Sequence, residues 1–135
     1  METATLTPAT LTTTNPRAQL WTGRVITGLI VTFLLIDAVG KLIPLSMYVE
    51  GTQKVGFAIE VVRPLGAVLA LSTLLHLVPR TQLLGAALVT AYLGGAVATH
   101  VRTGTPFWFP VVMGVLLWGA YYLRSAHLRA FLARV

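Results

Sequence analysis

Seven charged or titratable residues lie within or beside long apolar runs of this chain: Asp37, Lys41, Glu50, Glu60, Arg63, His100 and Arg102. An ionised side chain placed in hydrocarbon costs about 2.5–3.5 kcal/mol even on lenient insertion scales, so such groups pair with one another or mark a site. Asp37 and Lys41 are four residues apart, with the acid first, the favourable order for a pair on one helix face. Glu60 and Arg63 stand one turn apart on a second apolar run. What these residues can build together is a mixed-charge pocket for a small polar or amphipathic molecule, or for a quinone headgroup.

Other chemistries fare worse. No two ligands show a His-x-x-His or Glu-x-x-His spacing, and the neighbouring lysine and arginines repel cations, so no metal site is read. His76 and His100 fall near opposite membrane faces, because their two spans run antiparallel, so a haem pair is not read. His76, alone on a Leu-rich turn, reads as an interfacial histidine hydrogen-bonded to backbone or headgroup, and His127 as solvated in a basic tail. No nucleophile–base–acid set and no Gly-rich phosphate loop can be picked out. The chain has no cysteine, so it supplies no disulfide, thiol relay or iron–sulfur ligand.

The elements that must position these residues are apolar helices. The 135 residues are 56 % hydrophobic and 10 % charged, against about 25 % charged in a typical soluble domain. Four apolar segments, over about residues 20–43, 58–78, 81–100 and 107–123, each approach the roughly 20 residues that cross a bilayer. Pro44 stops the first, and Pro79 with Arg80 makes a tight turn between the second and third. The expected fold is all-α, a four-helix transmembrane bundle over residues 20–124, with a disordered tail at 1–19 and a basic tail at 125–135. Between the first and second spans, Leu45, Tyr48 and Val49 recur at helical spacing and suggest a short interfacial helix, with a plain loop as the alternative.

Asp37 lies about 18 Å along the helix axis from Val25, in the far half of the bilayer but below its surface. Arg17, Arg24, Arg80, Arg124, Arg129 and Arg134 would share the side of the two termini, and Lys41, Lys54, Arg63 and Arg102 the other, which favours cytoplasmic termini. All seven candidate residues then gather toward the outer half. The net charge of +6 is scattered singly, with no basic stripe for phosphates, so the expected partner is the lipid bilayer and not nucleic acid. Ala87, Ala91, Gly95 and Thr99, with Gly66 and Ala70, form small-residue faces that read as helix contacts within the chain, or secondarily as a homo-oligomer contact. No cleaved signal is read at the N-terminus.

The run from Leu35 through Asp37, Gly40 and Lys41 to Leu42 resembles the first-helix motif of the DoxX-like membrane proteins. Val49-Glu50-Gly51, Val62-Arg63-Pro64-Leu65-Gly66, the stretch from Ala91 to Arg102, and Leu116 to Arg124 extend the likeness over about residues 21–129. The resemblance implies a four-helix bacterial inner-membrane protein. That wider family includes a small subunit of a thiosulfate:quinone oxidoreductase, members linked to oxidative-stress complexes, and relatives that assist assembly of other membrane proteins. Three functions follow as expectations. The preferred one is a membrane subunit of a quinone-linked redox system, not catalytic alone, with no covalent cofactor and with the electron carrier on a partner protein. The second is a membrane chaperone or scaffold. The third is a small-solute transporter, disfavoured because Asp37 already has Lys41 beside it.

Overall fold

The computed structural model describes residues 16–135, and every regular element among them is a helix. In chain order these are α1 (Pro16–Leu42), α2 (Ser46–Lys54), α3 (Ile59–Leu77), α4 (Gln82–Arg102), α5 (Trp108–Arg124) and α6 (Ala126–Leu132). The expected all-α class holds, but the described residues form six helices and not four. For residues 1–15, the tail expected over 1–19 lies outside the described residues.

Two boundaries need correction. Helix α1 begins at Pro16, earlier than the apolar run, because proline at the first helical position lacks only an N–H that would be unpaired anyway. The segment expected as a basic tail instead holds α6. Ser125 adopts an extended backbone that ends α5, and its hydroxyl accepts from the Leu128 N–H, capping α6. Arg129 then donates to the Tyr122 and Leu123 carbonyls, at 2.9 and 2.7 Å, satisfying the last turn of α5.

Helices α1, α3, α4 and α5 form a closed ring of neighbours in that order, so α1 faces α4, and α3 faces α5, across the centre. Glycines set the closest approaches. A Cβ on Gly66 of α3 would meet the Ala38 carbonyl and the Lys41 Cβ of α1 at 2.8 Å. At the opposite end, a Cβ on Gly85 of α4 would overlap the backbone of Leu75 and His76 in α3. The core between them is narrow, built from Ile30, Leu34, Ala38, Leu69, Ala86, Val89 and Leu117. Its hydroxyls turn back onto their own helices: Thr27 donates to the Gly23 carbonyl and Thr73 to the Leu69 carbonyl, both at 2.8 Å.

Many large apolar side chains also point outward. Leu29 is 68 % exposed, Leu71 60 % and Val115 67 %. A bundle that is apolar in its core and apolar again around its outside is built for lipid rather than water. Helices α1, α3 and α4 are each long and apolar enough to cross a membrane. Helix α5 has 17 residues and is strongly apolar.

Between α1 and α3, the short helix expected from Leu45, Tyr48 and Val49 does form, as α2. It folds back over the bundle because Gly40 leaves a gap for the Tyr48 ring, which a Cβ there would overlap. Gly56 ends the excursion with φ +91°, a left-handed conformation that favours glycine.

Candidate functional site

Beneath α2, at the end of the bundle where α1 finishes and α5 begins, lies a cavity of about 510 Å³. Its walls are mostly apolar: Phe33 and Leu34 from α1, Met47 and Tyr48 from α2, Leu93 from α4, and Phe109 and Met113 from α5. The Phe33 and Phe109 rings meet edge to face, centroids 5.2 Å apart, and close the seam between α1 and α5. The polar groups that enter this apolar space are few, and they include three of the seven sequence candidates: Asp37, Lys41 and His100.

Asp37 and Lys41 form the expected ion pair one turn apart. Lys41 Nζ donates to Asp37 Oδ2 at 2.5 Å, and the Lys41 side chain is 13 % exposed and that of Asp37 22 %. The sequence did not suggest the third member. Lys41 Nζ also donates to the hydroxyl of Tyr92, on the facing helix α4, at 3.0 Å, and lies 5.6 Å from the centre of that ring. An ammonium carries three N–H donors, and these two bonds use two of them. The remaining N–H is available to a ligand oxygen, and the Tyr92 hydroxyl, which accepts from Lys41, keeps its own proton to donate.

His100 sits on the cavity wall, held by the turn after α4. Its Nδ1 is 2.7 Å from the Thr105 hydroxyl, which in turn lies 3.0 Å from that of Thr103. Gly104, with φ +67°, makes the tight turn that brings Thr105 back to this ring.

The other four candidates do not line the cavity. Glu50, Glu60 and Arg63 are exposed. Arg63 misses because α3 turns Val62 and Gly66 inward, leaving position 63 on the outer face. Arg102 is exposed as well and reaches the Val55 carbonyl at 3.5 Å, so it braces the end of α2 from outside. The charge of Asp37 is therefore balanced from its own helix, with a phenol from α4, and not by a cation from α3.

The small-residue face of α4 also differs from its expected role. The close approach to α3 is at Gly85, while Ala91, Gly95 and Thr99 line the cavity and a Cβ on Gly95 would meet nothing within 4 Å. Small side chains here make room rather than a seam. Gly66 does pack against α1 as expected.

His76 lies at the far end of the bundle and is 1 % exposed. Its Nδ1 donates to the Gln82 carbonyl at 3.1 Å, and its ring meets Tyr121 edge to face at 5.8 Å. The backbone bond matches its sequence reading. Its depth does not: it is a core residue, enclosed because Gly85 lets α4 pack directly onto the His76 backbone.

A sequence model of the DoxX-like family matches residues 25–120, a stretch that runs from within α1 to within α5 and takes in the whole cavity. No curated protein matches the chain. No solved structure matches it either.

Proposed function

Because the chain belongs to the DoxX-like family, we propose that it is a four-span protein of the bacterial inner membrane whose cavity takes the polar head of a small amphipathic molecule, a quinone first among them. In this reading α5 is the fourth span, α2 lies at the outer interface, and both termini are cytoplasmic. The chain serves as the membrane subunit of a redox system. It binds and orients the head, and the electron carrier belongs to a partner protein, since this chain offers no thiol.

One observation carries the reading. Two donors, the spare N–H of Lys41 and the hydroxyl of Tyr92, enter a cavity that is otherwise largely apolar. Planar ligands with one or two carbonyl oxygens fit such a site: the ring is buried among Phe33, Phe109 and Met113, and an oxygen accepts from the donors. Asp37 holds the ammonium in place and offsets its charge, so a neutral head can bind without carrying a counter-ion.

Thermal shift of the purified protein tests this, because a ligand that binds only the folded state raises its melting temperature with concentration. Ubiquinone and menaquinone analogues are expected to stabilise the wild type, and Asp37→Asn to remove the effect. If no quinone shifts the wild type, the reading is wrong. A scaffold role has its own support in the outward-facing Glu50, Glu60 and Arg63 at this end of the bundle. Crosslinking in native membranes would then recover one dominant partner lost on charge reversal at these three positions.

A further inference from the structure

A second concavity runs along the outer face of α4 and α5, lined by Thr90, Gly94 and Val97 from one helix and by Val111, Gly114, Val115, Gly119 and Tyr122 from the other. It is almost wholly apolar. Two residues line both this groove and the cavity: Leu93 and Pro110. They are the whole of the lining that the two spaces share, so these two side chains stand between the groove and the cavity. Gly114 keeps this partition thin on the α5 side: a Cβ there would stand 3.8 Å from Leu93 Cδ1, in ordinary contact.

Groove depth also comes from missing side chains. A Cβ on Gly94 or Gly119 would meet no heavy atom within 4 Å. The far part of the groove is pinned by Trp118, whose indole N–H donates to the Thr90 hydroxyl at 2.8 Å and ties α5 to α4. From Pro110 to Tyr122 the groove extends about 18 Å at helical rise, more than half of a roughly 30 Å hydrocarbon layer. A trough of this length, opening beside a headgroup-sized cavity and facing lipid, suits a hydrocarbon tail still attached to the head.

From this geometry we infer that the ligand is a long-tailed lipid-soluble molecule, its head beside Lys41 and Tyr92 and its tail laid along the α4–α5 groove past Leu93. The inference rests on the head-binding reading above and adds lateral entry from the bilayer. It commits the groove to the tail of the same molecule.

The test uses the full chain in nanodiscs and a decyl-tailed benzoquinone bearing a photoreactive diazirine at the tail tip. Illumination is expected to label mainly Val115, Gly119 and Tyr122, with labelling lost on excess unlabelled quinone. Gly94→Phe and Gly119→Phe, at positions where an added Cβ meets no heavy atom within 4 Å, should cut this labelling at least about fivefold while leaving the thermal shift with a tail-less benzoquinone unchanged. Labels spread over α1 and α3 as heavily as over α4 and α5 would overturn the groove, as would full labelling in both glycine variants. Failure of the tail-less quinone to shift the wild type would instead remove the head site on which the groove depends.

Discussion

Lys41 Nζ and the Tyr92 hydroxyl lie 3.0 Å apart, joining α1 to α4 across the centre of the bundle, although those two helices are not neighbours in the ring. Both residues line the cavity, so in the proposed function one contact serves both packing and recognition. Its removal separates these roles. Tyr92→Phe keeps the ring over the ammonium and deletes only the hydroxyl, which is expected to cost about 0.5–1.5 kcal/mol of stability. Melting in detergent against the wild type measures it, and an unchanged melting temperature would mean the bond is not formed.

The ion pair beneath it should behave as a unit. Lys41→Met leaves the Asp37 carboxylate partly buried without a cation, and is expected to destabilise on the order of 1–3 kcal/mol, less than a fully buried pair because both side chains keep some exposure. The double variant Asp37→Asn with Lys41→Met should recover most of that loss. A double-mutant cycle in which the two single losses simply add would show that the groups do not interact.

Two glycines make opposite predictions. Gly85→Ala drives a methyl into the His76 and Leu75 backbone, which cannot yield as a side chain can, so a loss of about 1–3 kcal/mol is expected. Gly28→Ala meets nothing within 4 Å and gains helix propensity, up to about 1 kcal/mol. Thermal melts of the two variants should therefore move in opposite directions. Equal shifts would deny the close α3–α4 contact.

Whether α5 crosses the bilayer can be read from the surface. The chain has no native cysteine, so single-cysteine variants label without background. Phe107→Cys and His127→Cys, both exposed and flanking α5, are expected to react with a membrane-impermeant maleimide from opposite sides. Labelling of both from the same side would make α5 a surface helix.

The sequence carried the helices further than it carried the site. Uninterrupted apolar runs, with Pro44 and Pro79 as stops, placed α1, α3, α4 and α5 to within a few residues. Helix α6 was hidden because its signal is a single Ser125 cap in a short basic stretch, and basic composition alone reads as solvated tail. Asp37 and Lys41 were legible as a pair because four residues on one helix fix their geometry. Tyr92 was not, since it lies 51 residues from Lys41 and only the ring order of the helices brings it near. For Glu50, Glu60 and Arg63, the end of the bundle could be deduced from the sequence but not the face of the helix. That face is set by packing, above all by Gly66 against α1.

Calorimetric titration of the wild type and Lys41→Met with one tail-less benzoquinone is the most direct measurement. Saturable binding at one site per chain is expected in the wild type. Loss of a charged hydrogen bond, worth about 1.5–3 kcal/mol, should weaken it roughly 10- to 150-fold in the variant. Equal affinity in the two proteins, or no saturable heat in the wild type, would contradict head recognition by Lys41.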